Sequence, residues 1–166
     1  MTDAELLSRA RNIKLLLMDC DGVLTDGRLH FSAEGETIKV FHARDGQGIV
    51  DWHKAGFRSG IISGRNSPIV EMRGRQLGIE FISQGRKEKV SAFHELIAAA
   101  GVEPREVAFI GDDTPDAEVM PLVGLAVAVS DAHSSAKAAA HYITQLKGGR
   151  GAVRELIDLL LDVKKG

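Results

Sequence analysis

A single cysteine, Cys20, excludes an internal disulfide in this 166-residue chain. No apolar run approaches the length of a membrane span, and Met1 to Ile13 is too polar for a secretory signal. With a net charge of -2 and no basic stripe, nothing favours nucleic acid as a partner. Six histidines show no spacing that suits a metal site. Internal repeats and linkers are absent as well. What remains, 44% apolar and 27% charged residues, is the composition of one globular domain, 1–166, expected in the cytoplasm.

The chain is organised around residues 15 to 27. Leu15 to Met18 reads as a buried strand, and Asp19 and Asp21 follow at once. Gly22 permits a sharp turn where strand gives way to loop. Side chains two apart at a strand end project to one side, so the two carboxylates face one small volume. Their repulsion is relieved by a shared proton or by a hard divalent cation. An Asp-x-Asp-Gly run alone is common in turns, and it also opens calcium loops. The calcium reading fails here, because position five from Asp19 is Val23 and position twelve is His30.

The rest of the chain supplies context. Helical spacing marks Thr2 to Arg11. Leu29–Ser32 and Thr37–Phe41 alternate in polarity around Gly35, which predicts a β-hairpin spanning about 27–41 whose apolar residues need cover. A helix is expected from Ile49 to Ala55. Strands at Phe57–Ile62, Glu80–Ile82, Val107–Ile110, Leu125–Val129 and Tyr142–Ile143 then alternate with helices at Pro68–Leu77, Lys87–Ala100 and around Ala117–Leu122, and with a short Ala-rich helix. Glycines at 148, 149 and 151 precede a last helix, Ala152 to Val163, in a Gly-rich tail, 148–166. This rhythm predicts an α/β fold: a three-layer α/β/α, doubly wound, mainly parallel sheet with a small hairpin and no large cap domain.

In such sheets ligands bind beyond the carboxyl ends of the strands. Asp19/Asp21, Ser63-Gly64-Arg65 and Asp112/Asp113 all stand at the ends of apolar runs, and Lys89 starts an amphipathic helix. Singly, each has a plain structural role as cap, turn or solvated side chain. Their joint appearance in this order favours a site.

Asp19-x-Asp21-Gly-Val-Leu-Thr, Ser63-Gly-Arg, Lys89 and Gly111-Asp-Asp-x-x-Asp116 resemble the four motifs of the haloacid dehalogenase-like phosphatases. More narrowly, Asp21 to Gly27, the hairpin, Phe41 to Gly46, Gln84-Gly85 and Gly148 to Glu155 resemble the 3-deoxy-D-manno-octulosonate 8-phosphate phosphatase family of lipopolysaccharide sugar synthesis. Cys20, in place of the family's usual aliphatic residue, and Thr114-Pro115 in the fourth motif are departures, and Pro115 bears on how the next helix starts.

The resemblance implies Asp19 as nucleophile and Asp21 as general acid and base. It implies Mg2+ held by Asp19, the Asp21 backbone carbonyl and Asp112, with Ser63 and Lys89 on the phosphoryl oxygens. Asp113 and Asp116 would orient Lys89 or metal-bound water. It also implies a homotetramer whose hairpins associate and whose neighbouring subunit helps close each site. Arg44, Arg65, Arg150 and Arg154 are the candidates for a sugar carboxylate. Two alternatives stay open: a nonulosonate 9-phosphate phosphatase, and a non-catalytic oligomerisation module related to cytidylyltransferase-fused domains.

Overall fold

The computed structural model describes residues 3–165, so Thr2, the expected start of the first helix, lies outside them. Helix α1 (Asp3–Arg11) leads into β1 (Leu15–Met18), all four of whose residues are buried. After the Asp19–Asp21 loop comes an antiparallel hairpin, β2 (His30–Ser32) and β3 (Gly35–Ile38), which forms a two-stranded sheet of its own. Helix α2 (Ala43–Lys54), β4 (Arg58–Ile62), α3 (Pro68–Leu77), β5 (Phe81–Ser83) and α4 (Lys89–Ala100) follow. Strand β6 (Val107–Gly111), α5 (Thr114–Ala117), β7 (Leu125–Ala128), α6 (Ser134–Ala139), β8 (Tyr142–Ile143) and α7 (Ala152–Lys165) complete the fold.

The main sheet has the order β5-β4-β1-β6-β7-β8, with every pair parallel. Right-handed crossovers put α2 and α3 on one face and α4, α5 and α6 on the other. Helix α7 returns to pack on α2 and α1. Central strands covered on both faces must be apolar throughout, which is why β1, β6 and β7 read as unbroken hydrophobic runs. Fully buried Phe93, Phe109 and Trp52 each contribute roughly 1.5–3 kcal/mol or more of transfer free energy. Strand order reverses at β1, which has β4 on one side and β6 on the other.

Two elements differ from expectation. Helix α2 begins at Ala43, six residues before Ile49, and runs through Gly46 and Gly48. Those glycines are there for packing: a Cβ on Gly48 would press against the backbone of Arg154 in α7, and one on Gly46 would overlap the Arg73 side chain. The helix expected around Ala117–Leu122 is instead the single turn α5 and a separate 3-10 turn, Met120–Leu122. Pro121 lies inside that segment, and a proline there cannot continue an α-helix. Pro115, by contrast, sits in the first turn of α5, where no intrahelical partner for its missing N–H is needed.

Candidate active site

The site is built at the point where strand order reverses. Asp19 follows directly on β1, and its N–H donates to the Ile110 carbonyl of β6 at 3.0 Å, so its loop is pinned to the neighbouring strand. Asp21, Ser63, Arg65, Lys89 and Asp112 share with Asp19 a cavity of about 170 Å³, which Asp113 and Asp116 also line. The floor beneath the loop comes from far along the chain. Gly149 donates its N–H to the Val23 carbonyl at 2.8 Å, and a Cβ on Gly148 would overlap the Gly22 carbonyl. The Gly-rich stretch therefore lies under the Asp19–Asp21 loop, and only glycine lets it approach so closely.

Lys89, the first residue of α4, is buried with its Nζ 2.7 Å from Asp19 Oδ1 and 2.7 Å from Asp116 Oδ1. Burial works against its charge, but Asp19 and Asp116 together hold its pKa above the ordinary lysine value. The other Asp116 oxygen accepts the N–H groups of Asp112 (3.0 Å) and Asp113 (3.2 Å). A Cβ on Gly111 would collide with Asp116, which explains a glycine before the two aspartates. Asp113 itself caps α5, accepting the Thr114 N–H at 2.7 Å. Ser63 ends β4, buried at the cavity wall.

The electrostatics are unbalanced. Asp19, Asp112 and Asp116 place carboxylate oxygens within 4.8 Å of one another, with one lysine against three acids. Burial, then the charge of Asp116, pushes Asp19 up to about 6. Burial, then Asp19 and Asp116, pushes Asp112 up to about 8. Both Asp116 oxygens are engaged, by Lys89 on one side and backbone N–H groups on the other, which leaves Asp112 and the Asp19 oxygen not held by Lys89 as the donors to a cation within this cluster. An excess of buried negative charge with hard oxygen donors suits a divalent cation such as Mg2+. Gly22, at φ 96°, makes room for the Asp112 carboxylate, which a Cβ there would overlap. Cys20 adds no nucleophile: burial, then Asp21 and Asp19, raise its thiol far above the usual range.

Comparison with known proteins bears on the family and the fold. The haloacid dehalogenase-like hydrolase family matches residues 62–156. Over 157 residues the chain is 46% identical to the 3-deoxy-D-manno-octulosonate 8-phosphate phosphatase of Yersinia pestis, covering 95% of this chain and 84% of that one. This chain belongs to the haloacid dehalogenase-like hydrolases. The crystal structure of the Yersinia pestis phosphatase superposes with a TM-score of 0.94 at 45% identity, over 97% of this hydrolase and 87% of that chain. A Moraxella catarrhalis 3-deoxy-D-manno-octulosonate 8-phosphate phosphatase, solved with magnesium, phosphate and KDO, gives a TM-score of 0.95 at 38% identity, over 99% and 94% of the two chains. The fold expected from the sequence is thus the observed one, and the hydrolase is an enzyme of phosphatase type.

The arginines separate into two groups. Arg65 lines the same cavity as Asp19, with its Nε 3.7 Å from Asp21 Oδ2. Arg44, Arg150 and Arg154 line a different cavity of about 630 Å³ together with Glu155 and Asp158. There Arg154 pairs with Asp158 at 2.8 Å and Asp51 at 3.3 Å, while Arg150 reaches Asp26 at 3.5 Å.

The hairpin of this hydrolase holds the residues that sequence reasoning passed over. Its alternation is real but inverted: Ile38 and Val40 are exposed, while Lys39 between them is buried. Lys39 forms an ion pair with Asp21 Oδ1, and its Nζ lies 2.9 Å from Glu36 Oε1. Glu36 Oε2 in turn accepts the Ser67 hydroxyl at 2.5 Å. Alternation puts Lys39 on the face opposite Ile38 and Val40, but which of the two faces is buried is not in the pattern.

Proposed function

We propose that this hydrolase is a Mg2+-dependent phosphomonoesterase that releases 3-deoxy-D-manno-octulosonate and phosphate from the 8-phosphate, within lipopolysaccharide sugar synthesis. One observation carries the reading: a buried lysine, Lys89, 2.7 Å from Asp19 and from Asp116, in a cavity that Asp21, Ser63 and Asp112 also line. Likeness over most of both chains to a phosphatase of that specificity supports the substrate. Asp19 attacks phosphorus and forms an aspartyl-phosphate, while Asp21 protonates the departing sugar oxygen. Asp21 then takes a proton from the water that hydrolyses the acyl phosphate. Ser63 and Lys89 bind phosphoryl oxygens and stabilise the charge that develops there. Asp116 fixes Lys89, and Asp113 fixes the turn that carries Asp112 and Asp116. Asp19, Asp112 and the Asp21 backbone carbonyl would hold Mg2+, which neutralises the phosphate dianion against an approaching carboxylate. For the sugar carboxylate, Arg65 is the candidate within the cavity, with Arg44, Arg150 and Arg154 reserved for contacts from the second cavity.

Phosphate release in the presence of Mg2+ is the test, run on 3-deoxy-D-manno-octulosonate 8-phosphate, a nonulosonate 9-phosphate and simple sugar phosphates. A preference of about 100-fold or more for the eight-carbon acid is expected, since a site built for one polar pattern rejects a mismatched one by such factors. Equal or better turnover of the nine-carbon ester would move the assignment to that sister activity. Silence on all of them would leave the oligomerisation module.

The quaternary proposal rests on the hairpin. Leu29, Phe31, Ile38 and Val40 are all about half exposed, an apolar band that a lone two-stranded ribbon does not leave in water. We infer burial against other copies in a homotetramer that shields the open site. Gel filtration is expected to give a tetramer for the native protein and a smaller species for Val40→Glu; an active native monomer would sink the idea.

A further inference from the structure

The hairpin reaches the reacting groups through one buried side chain. Lys39 follows directly on β3, and its ammonium, with a side chain 1% exposed, sits between Asp21 and Glu36. The ammonium is itself fixed from behind. Glu36, 2.9 Å away, accepts the hydroxyl of Ser67, the residue that precedes α3, and the Ser67 N–H donates to Gln84 Oε1 at 2.9 Å. Hairpin, α3 and the β5 loop are thereby tied to one carboxylate. The second oxygen of Asp21 faces the Arg65 guanidinium at 3.7 Å, and that guanidinium lies 5.3 Å over the Phe31 ring of β2. Neither Lys39 nor Glu36 lines the cavity that holds Asp19, so neither stands where a phosphate would sit.

We propose that Lys39 is a positioning residue for Asp21, setting the direction in which that carboxyl presents its proton to the leaving oxygen. The inference rests on the phosphatase reading given above. In the step concerned, the P–O bond breaks with its electron pair passing to the sugar oxygen, which receives the proton from the Asp21 carboxyl. In the second half, Asp21 takes one proton from the attacking water as the Asp19–phosphorus bond breaks. Lys39 keeps all its protons throughout. Buried ammonium groups that touch a carboxylate without touching substrate are suited to this role, because a fixed charge selects one carboxyl rotamer among several. Proton transfer depends on that rotamer, whereas attack by Asp19 does not.

This division supplies the test. Lys39→Met and Lys39→Arg are assayed with Mg2+ on two esters, the sugar-acid phosphate, whose alkoxide leaving group needs a proton, and p-nitrophenyl phosphate, whose phenolate does not. Lys39→Met is expected to lose roughly 100-fold in kcat/KM on the alkyl ester and less than about fivefold in kcat/KM on the aryl ester, because kcat/KM reads the transfer to Asp19 and not the later hydrolysis in which Asp21 serves both esters as base. Lys39→Arg should recover most of the alkyl rate. Should Lys39→Met fail to fold by circular dichroism, Glu36→Gln, which keeps the ammonium and removes its rear anchor, should show the same selective loss at smaller size. Equal losses on both esters, or no loss on the alkyl one, overturn the proposal. If the wild type cleaves a plain primary sugar phosphate but not the sugar acid, the substrate assignment falls alone and the comparison is made on that ester. If the wild type cleaves nothing, the phosphatase reading fails and takes the positioning role with it.

Discussion

Asp19→Asn is expected to yield a folded protein whose phosphate release falls by about 10⁴-fold or more. An amide oxygen is a poor nucleophile and cannot form the acyl phosphate, and two of the neighbouring carboxylates are already engaged. Asp21 is tied to Lys39, and Asp116 is spent on Lys89 and two backbone N–H groups. The fold has no need of the charge. With an amide at this position, Lys89 keeps Asp116 at 2.7 Å, and the cluster of three acids around one lysine loses a carboxylate that burial already disfavours. In chelator at pH 8 the variant should therefore melt at or above the wild-type temperature. Turnover within tenfold of wild type by a folded variant would remove Asp19 from the nucleophile's place.

The second large effect couples metal, pH and stability. Asp19 and Asp112 both have folded pKa values raised above the ordinary carboxyl value, to about 6 and about 8. A raised carboxyl binds its proton more tightly in the folded chain than in the unfolded one. Its contribution to stability is thus fully present below about pH 4 and is lost as pH rises towards the folded value. In chelator, the melting temperature should fall between pH 5 and pH 8.5, by something on the order of 5 °C. Mg2+ replaces the proton as the partner of those oxygens, so the metal-bound protein should show little of this decline, and chelation at pH 8 should also stop turnover. Thermal melts at three pH values with and without Mg2+ check both parts. Parallel curves would show that these carboxylates do not hold the ion.

The core of the site was readable because the physics that buries a strand also ends it. Leu15 to Met18, Ile61-Ile62 and Val107 to Ile110 are apolar as far as the sheet's edge, and the first polar residues past that edge are Asp19, Ser63 and Asp112. Pattern fails where tertiary contact decides. Gly46 and Gly48 look like breaks but sit inside α2, because their missing side chains let α7 and α3 come close. Lys39 lies between exposed Ile38 and Val40, and its contacts in space with Asp21 and Glu36 account for its burial. Arg44, Arg150 and Arg154 belong to the stretches that carry the family resemblance, yet line a cavity that does not include Asp19.

The contact of Gly148 and Gly149 with the loop after β1 also bears on the order of events during synthesis. Asp19, Asp21, Ser63, Lys89 and Asp112 have all been joined to the chain before residue 113 is added, and β8 finishes the sheet at Ile143. At that stage the Val23 carbonyl and the space beside Gly22 still have no partner from Gly148 and Gly149, nor has Asp45 received the N–H groups of Gly151 and Arg154. A nascent chain can therefore carry every reacting group of the enzyme while the loop that aims two of them still lacks its contact with the Gly-rich stretch. Contacts between residues so far apart in sequence form late, and here they join almost the first strand to the last helix. The site is whole only once residues 148 to 154 have joined the fold.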